Sequence, residues 1–136
     1  MTTDYPPSTA RVTGIGGVFF KAKDAAALRA WYQQHLGLPI EAWGGMVFRW
    51  RDDANPQGTG STVWSIFEEH SSYFAPGGLG FMINFRVADL ASVLSQLRAE
   101  GCAVDDKVDS SEYGQFGWVT DPEGNRIELW QPPQGQ

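Results

Sequence analysis

The chain has 136 residues, of which 42% are hydrophobic and 13% aromatic, and it carries a formal net charge of -6 at pH 7. This length and composition predict one domain with a full core and exclude a disordered chain. The acidic balance disfavours nucleic acid and anionic membranes as partners, and no apolar run approaches the roughly 20 residues of a membrane span. Because residues 1–10 lack the basic region and apolar stretch of a signal peptide, we expect a cytoplasmic protein.

The first half of the chain predicts a strand, a helix and three further strands. Residues 12–20 end in β-branched and aromatic side chains, which favours a strand. Asp24 is a suitable N-cap for the helix that follows, and Gly37 is a suitable stop. The apolar face of this helix is formed by Leu28, Trp31, Tyr32 and Leu36. Three short strands are then predicted at residues 39–43, 46–51 and 62–67.

The same order of elements returns in the second half. Residues 80–87 predict a strand, Asp89 is the next candidate N-cap, and Gly101 ends the second helix. The apolar face of that helix is formed by Leu90, Val93, Leu94 and Leu97. Three final strands are predicted at residues 102–108, 115–120 and 126–130.

Matching residues recur at one offset of 65 positions, which indicates an internal repeat. The pairs are Phe20 with Phe85, Lys21 with Arg86, and Asp24 with Asp89. We therefore predict an α+β fold in which residues 1–136 form a single domain of two βαβββ modules. Module one spans about 11–68, and module two spans about 79–131.

Side chains on a strand alternate between the two faces of a sheet, and one predicted face is purely apolar. Val18 with Phe20, and Ile83 with Phe85, belong to this face, which we expect beneath the helices. The opposite face mixes aromatic and polar side chains, as small-molecule pockets do. The ligand-binding residues predicted there are Phe19, Trp64, Met82, Asn84, Arg86, Arg126 and Trp130. Further aromatic candidates for the pocket wall are Trp50, Tyr73 and Trp118.

Three segments of the chain resemble the vicinal oxygen chelate superfamily, the group of glyoxalases, bleomycin-resistance proteins and dioxygenases. These segments are GVFFKAKDAAALRAWYQQHLGL (17–38), FMINFRVADLASVLSQLRAEG (81–101) and DPEGNRIELW (121–130). The resemblance implies two βαβββ modules whose curled mixed sheets enclose a central cavity. It also implies a small organic ligand in that cavity and a homodimer.

The resemblance further implies a degenerate metal site. Metal-dependent members of the superfamily hold a divalent ion with ligands from the first and last strands of each module. Glu128 matches the ligand of the last strand, but the two first-strand positions fall on Gly17 and Met82. A glycine has no donor, and a thioether is a poor ligand for such metals. We therefore expect no cofactor, with a divalent metal as the alternative that is not favoured.

Glu128 is the candidate catalytic residue. Because Ile127 and Leu129 belong to the apolar face, alternation places the Glu128 carboxylate in the predicted pocket. There it could act as a base or bind a polar group of a ligand, with a raised pKa. It could equally be a structural acid that pairs with Arg86 or Arg126.

The remaining reactive side chains predict structural roles. His35 falls on the apolar stripe of the first helix, and His70 is expected in a solvent-facing loop. The single cysteine, Cys102, is expected to be buried, and it excludes an intrachain disulfide.

Two functions are consistent with these residues. The first is a binding protein that sequesters a small organic ligand without transforming it. The alternative is an enzyme of the lyase, isomerase or dioxygenase type that acts on a small carbonyl or aromatic substrate, with Glu128 as base or metal ligand. An interaction module that uses the fold only as a scaffold is a third, weaker hypothesis. Whether the protein is an enzyme stays open on these residues.

Overall fold

The computed structural model describes residues 11–52, 58–78 and 80–136, and residues 1–10, where no signal peptide is expected, lie outside them. Eight strands and two helices lie within these ranges. In chain order they are β1 (Val12–Ala22), α1 (Ala25–Leu36), β2 (Gly45–Arg49), β3 (Ser61–Glu68), β4 (Phe81–Val87), α2 (Leu90–Ala99), β5 (Ala103–Val104), β6 (Asp109–Ser111), β7 (Gly114–Thr120) and β8 (Arg126–Gln131). The predicted α+β class is confirmed. Neither helix is long and apolar enough to cross a membrane.

The strands form one mixed sheet in the order β2-β3-β1-β4-β8-β7-β5, with β6 paired to β7. Its central contact is antiparallel, between β1 and β4. On either side of that contact, β1 pairs in parallel with β3, and β4 pairs in parallel with β8. Among the described strands the sheet does not close into a barrel.

Both helices begin at the predicted caps. The Asp24 carboxylate accepts the backbone N–H of Ala27, and the Asp89 carboxylate accepts that of Ser92. These bonds satisfy donors that a helix leaves unpaired in its first turn. Gly37 ends α1 with a φ of +67°, a left-handed conformation that favours glycine.

The strand predicted at residues 39–43 is wrong. In its place the backbone makes a turn, in which the N–H of Gly44 donates to the carbonyl of Glu41 at 2.9 Å. Pro39 has no N–H to give to a strand ladder, and Gly44 adopts a φ of +104° that ends extended backbone. As a result, β2 begins only at Gly45 and is an edge strand.

The strand predicted at residues 102–108 is also shorter than expected. Only Ala103–Val104 pairs with β7, and a separate strand, β6, follows at Asp109–Ser111. Acidic and basic side chains at 105–107 occupy the interval, and such residues are depleted in strands. Cys102 is exposed rather than buried, because it lies in the exposed turn that follows α2.

The sheet buries a different cluster on each face. On one face α1 packs on β1 and β3, while α2 packs on β5, β7 and β8. The core beneath α2 is apolar and consists of Val87, Leu90, Val93, Leu94 and Leu129. The opposite side of the sheet, here called the helix-free face, buries a second cluster of Phe19, Phe74, Met82 and Trp118.

Candidate functional site

Strand register assembles the candidate site on the helix-free face. Phe19 of β1 lies opposite Met82 of β4. Asn84 of β4 lies opposite Glu128 of β8, and Glu128 lies opposite Trp118 of β7. Since residues opposite each other share a face, three neighbouring strands place an amide, a carboxylate and an indole side by side.

The Glu128 carboxylate is at the centre of this group and is only 1% exposed. One oxygen accepts the Asn84 amide at 2.7 Å. The other accepts the Trp118 indole N–H at 2.9 Å and the Tyr73 hydroxyl at 2.5 Å. All three donors are neutral, so no cation is hydrogen-bonded to the carboxylate, although the Arg126 charge is near enough to act on it. Within the described ranges, the ion pairs do not include Glu128, which disfavours its predicted pairing with Arg86 or Arg126.

Burial controls the protonation of this group. Desolvation raises the pKa of Glu128, and the hydrogen bonds from Tyr73, Asn84 and Trp118, together with the Arg126 charge, offset only part of the rise. Desolvation also raises the pKa of Tyr73, and the nearby Glu128 charge raises it further. The phenol therefore keeps its proton and stays a donor, while Glu128 is the group whose protonation can change.

Tyr73 is a site residue that sequence analysis identified only as an aromatic wall. It lies in the loop after β3, where its ring stacks on Phe67 with the centroids 5.5 Å apart. The ring also meets Trp118 edge-on at 6.2 Å. Tyr73 remains 37% exposed, although its hydroxyl reaches Glu128. Because 55 positions separate the two residues, no local pattern indicates their contact.

Arg126 contacts the loop and does not form an ion pair with the Glu128 carboxylate. Its guanidinium lies over the Trp118 ring at 4.6 Å and pairs with Asp105 at 3.1 Å. One of its terminal nitrogens donates to the backbone carbonyl of Tyr73. Its Nε is buried and has no hydrogen-bond partner in the part of the chain that the structure describes.

The centre of the helix-free face is packed, so it is not the open aromatic cavity that the sequence predicted. Phe19, Phe74, Met82 and Trp118 are each at most 8% exposed. A cavity of about 240 Å³ lies beside this cluster and is lined by residues of both faces, among them Phe74, Met82, Arg126, Ile83, Phe85 and Ile127. The predicted ligand-binding residues Met82 and Arg126 thus line a cavity, while Phe19 fills the core.

Arg86 and Trp130 lie at another end of the same face. The Arg86 guanidinium is held between two indole rings, 5.1 Å from that of Trp50 and 5.2 Å from that of Trp130. It donates to the backbone carbonyl of Ser61, at 3.0 Å, and to a backbone oxygen of Gln136, the last residue. A cavity of about 410 Å³ lies beside it, lined by Arg86, Thr13, Thr59 and residues 131–136 among others.

Comparison with known proteins places this arrangement in a family. A model of the glyoxalase-like domain matches residues 17–130, which include the second half of β1 and most of β8. The chain belongs to the glyoxalase-like domain family. The predicted resemblance to the glyoxalase, bleomycin-resistance and dioxygenase superfamily is thereby confirmed.

Solved structures agree with this glyoxalase-like fold. Methylmalonyl-CoA epimerase from Mycobacterium tuberculosis is 21% identical, with 92% of this chain and 91% of that chain covered and a TM-score of 0.60. A variant of the Streptomyces coelicolor methylmalonyl-CoA epimerase, in complex with 2-nitronate-propionyl-CoA, is 18% identical over 92% and 98%, with a TM-score of 0.64. A superfamily member from Vibrio splendidus is 14% identical over 86% and 97%, with a TM-score of 0.53. Among curated proteins, no significant match is found.

The residues of this glyoxalase-like chain do not fit a divalent metal at Glu128. Both carboxylate oxygens face O–H or N–H donors, which present hydrogens rather than lone pairs to an ion. The site of a missing Cβ at Gly17 lies 2.8 Å from the Phe19 ring and 3.0 Å from the Val63 carbonyl, so no ligand side chain fits there. Across residues 11–52, 58–78 and 80–136, no cluster of three His, Cys, Asp or Glu side chains could hold a metal.

Trp64 is the predicted ligand-binding residue that the structure places elsewhere. It lies opposite Val18 in the β1–β3 register, and its ring contacts those of Phe20 and Tyr32, with the latter centroids 4.9 Å apart. Tyr32 belongs to α1, so Trp64 lies on the helix face. The correction follows from alternation, because Trp64 shares the face of Val18 rather than that of Phe19.

The two histidines lie outside the candidate site. His70 is in the solvent-facing loop that the sequence predicts, with a side chain 95% exposed. His35 contacts the Trp31 ring at 5.2 Å but is exposed, because this part of α1 is not covered by the sheet.

Proposed function

We propose that this glyoxalase-like protein binds a small organic molecule at the Glu128 end of the helix-free face and does so without a metal. The observation that carries the proposal is the cage around Glu128. Its carboxylate is buried and hydrogen-bonded to three neutral donors, and one of them comes from a loop. In the proposed complex, a donor group of the ligand takes the position of the Tyr73 hydroxyl.

Tyr73 is the donor that can be replaced. Asn84 and Trp118 belong to strands that are paired on both sides, so moving them would break the sheet. Tyr73 is in the connection after β3 and is 37% exposed, so its displacement costs fewer contacts. Movement of this loop would expose the Glu128 carboxylate to a ligand.

The surroundings define the chemistry of the ligand. It needs a hydroxyl, amide or amine donor for Glu128 and an apolar or aromatic body for contact with Phe67 and Trp118. The existing cavity is below the roughly 300–1,000 Å³ of drug-sized pockets, so the ligand is small or the loop moves to admit it. The net charge of -6 favours a neutral or cationic ligand over an anion at this end.

A second function, proton transfer next to a carbonyl group, is favoured by one specific observation. Burial raises the pKa of Glu128 towards the range in which a carboxylate is an effective base. In this isomerase-type alternative, Glu128 accepts a proton from the substrate carbon and returns it to either face. The epimerases among the similar structures make a methylmalonyl thioester a sensible test compound.

A fragment screen in the presence of EDTA tests the binding proposal. The library contains small alcohols, amides and amines, and the readout is the indole N–H signal of Trp118 in ¹H–¹⁵N NMR. We expect fragments that shift this signal saturably and that lose tenfold or more affinity in Glu128→Gln, because a hydrogen bond to a charged group weakens. Glu100→Gln is the matched control, since Glu100 is a surface acid paired with Arg11.

The outcomes separate the two functions. Fragments that bind Glu128→Gln as tightly as the wild type would contradict both. Binding that depends on Glu128, without exchange of carbon-bound protons for deuterium, supports a binding protein. Exchange into the methylmalonyl thioester that is lost in Glu128→Gln supports the isomerase-type enzyme instead.

We also propose that the chain consists of two related modules and that it forms a homodimer. The pairing of β1 with β3 and of β4 with β8, both parallel, supports the modules. Exposed apolar side chains support the dimer, with Trp31 49%, Leu36 59% and Trp43 52% exposed. Light scattering at micromolar concentration should give twice the mass of one chain, and a monomeric mass would contradict the dimer.

A further inference from the structure

The Glu128 site is occupied by a side chain of the protein itself, the phenol of Tyr73. Its hydroxyl donates to the Glu128 carboxylate at 2.5 Å, and the same carboxylate oxygen accepts the Trp118 indole N–H at 2.9 Å. Tyr73 is nevertheless not part of the core, since it is 37% exposed, whereas the neighbouring Phe74 is only 1% exposed. Phe74 therefore anchors the loop, while the Tyr73 phenol fills a slot that opens towards solvent.

The walls of this slot suit an aromatic ring. The Phe67 ring stacks on that of Tyr73, with the centroids 5.5 Å apart and an angle of 20° between the planes. The Trp118 ring meets it edge-on at 6.2 Å, and the guanidinium carbon of Arg126 lies 5.8 Å from its centroid. Stacked rings, edge-on rings and a nearby cation all favour an electron-rich ring over a saturated body of the same size.

The charges around the slot favour a neutral hydroxyl group at its inner end. Burial raises the pKa of the Tyr73 phenol, and the Glu128 charge raises it further, so an anion is disfavoured there. A cation is disfavoured by the guanidinium of Arg126, which pairs with Asp105 at 3.1 Å and stays charged. A phenol meets both conditions, because it carries a neutral O–H donor on an aromatic ring.

We propose that the ligand of the Glu128 site is a small phenol, which takes the place of the Tyr73 side chain. The ligand hydroxyl donates to Glu128, the ligand ring contacts Phe67 and Trp118, and Tyr73 turns towards solvent. This inference rests on the proposed binding function and names the chemical class of its ligand. Tyr73 is then an internal competitor, so the apparent affinity for a ligand is reduced by the fraction of chains in which the slot is free.

The test is a titration of the full chain with p-cresol, which has the atoms of a tyrosine side chain, followed by the Trp118 indole N–H signal in ¹H–¹⁵N NMR. The methyl ether of p-cresol keeps the ring without the O–H donor, and cyclohexanol keeps the donor without the aromatic ring. Tyr73→Phe removes the internal hydrogen bond, and Tyr73→Ala empties the slot. Tyr113→Ala is the matched control, because Tyr113 is 68% exposed in the turn between β6 and β7.

In the wild type we expect p-cresol to shift the Trp118 signal saturably. Its methyl ether should bind about tenfold more weakly or worse, since the hydrogen bond to a charged group is lost, and cyclohexanol several-fold more weakly. Affinity for p-cresol should rise about threefold or more in Tyr73→Phe and about tenfold or more in Tyr73→Ala, because the slot is free in more of the chains. Tyr113→Ala should bind p-cresol as the wild type does.

The absence of a saturable shift in the wild type would overturn the proposal, even if Tyr73→Ala binds p-cresol, because Tyr73 would then be a permanent wall. Equal affinity for p-cresol and its methyl ether would also overturn it, as would equal affinity in the wild type and Tyr73→Phe, a comparison that stands even if Tyr73→Ala does not fold. If the fragment screen yields binders that depend on Glu128 while p-cresol does not bind, only the phenol assignment fails. If neither binds, the proposed function fails as well.

Discussion

The Glu128 end of the helix-free face contains an anion and the Arg86 end contains a cation, and tryptophan side chains contact both. At one end, Trp118 donates its indole N–H to a buried carboxylate. At the other, Trp50 and Trp130 present their ring faces to a guanidinium. An indole thus stabilises an anion through its edge and a cation through its face.

The two ends also differ in what remains unsatisfied. The Glu128 carboxylate has a full set of donors, so a ligand must displace one of them. Arg86 instead donates to a backbone oxygen of Ser61 and to one of Gln136, the last residue, beside a cavity of about 410 Å³. This difference predicts a closed site at Glu128, which a ligand reaches only when the Tyr73 loop moves.

Asn84 can satisfy Glu128 in either of its protonation states. Its Nδ2 donates to Glu128, while its Oδ1 is buried without a hydrogen-bond partner in the described residues. Rotation of the Asn84 amide by half a turn would present Oδ1 to Glu128 instead. There it could accept a hydrogen bond from an O–H or N–H group. Protonated Glu128, or glutamine in its place, would then be satisfied as well as the carboxylate is.

The largest expected effect is at the closed end. Glu128→Leu introduces an apolar side chain of similar volume and removes the acceptor of three donors. We expect a loss of about 3 kcal/mol or more in the free energy of unfolding, because each buried unsatisfied donor costs about 1–3 kcal/mol. Chemical denaturation measures this.

Glu128→Gln is the control for that substitution. It should cost about 1 kcal/mol or less, because Asn84 can rotate to accept the new amide N–H. Equal losses in the two variants would show that the hydrogen-bond cage does not stabilise the fold.

A smaller loss of stability is expected from a substitution at Gly16, which lies between the Glu128 end and the Arg86 end of the helix-free face. A Cβ at Gly16 would lie 2.0 Å from Asn84 Oδ1 and 2.8 Å from the Trp130 ring. Gly16→Ala should therefore cost about 1–3 kcal/mol in unfolding free energy, as overpacking does. In NMR spectra it should move the signals of both Trp118 and Trp130. Gly78→Ala is the matched control, since its Cβ would meet nothing within 4 Å, and it should leave both signals in place.

The smallest effect expected is a change of stability with pH. The pKa of Glu128 in the folded chain is raised above its usual 4.5, so the folded state holds this proton more tightly than the unfolded state. The associated stability is complete below pH 4.5 and is lost as pH rises through the folded pKa. The wild type should therefore lose stability relative to Glu128→Gln as pH rises above 4.5, until Glu128 is ionised in both states.

Arg86→Met sharpens the comparison in the same pH series. An arginine stays protonated throughout, so the difference between this variant and the wild type should not change with pH. Urea denaturation from pH 4 to pH 8 measures both differences. A pH-independent gap between wild type and Glu128→Gln would mean that burial does not control the protonation of Glu128.

Several parts of the fold follow from local sequence alone. The caps Asp24 and Asp89 begin the helices because a carboxylate accepts the N–H of a first-turn residue. Alternation along β4 and β8 places Asn84, Arg86, Glu128 and Trp130 on one face, since every second side chain of a strand points the same way. These interactions span only a few residues, so a single sequence is enough to predict them.

The missing strand at residues 39–43 and the exposure of Cys102 were not predicted. Apolar composition indicates a strand, but a strand also needs a neighbour with which to pair, and Gly44 turns the chain away first. Trp64 was assigned to the wrong face for a similar reason. It was chosen as an aromatic residue, although its pairing with Val18 determines which way it points.

The sequence by itself determined the α+β class, the family resemblance, and the residue types on each face of the central strands, because these depend on local periodicity and short motifs. Only the tertiary structure decided that Tyr73 reaches Glu128, that Asp105 pairs with Arg126, and that Arg86 lies between Trp50 and Trp130. These partners lie from 21 to 55 positions apart in the chain. Which of them meet depends on strand order and loop path, and therefore on the packing of the whole sheet.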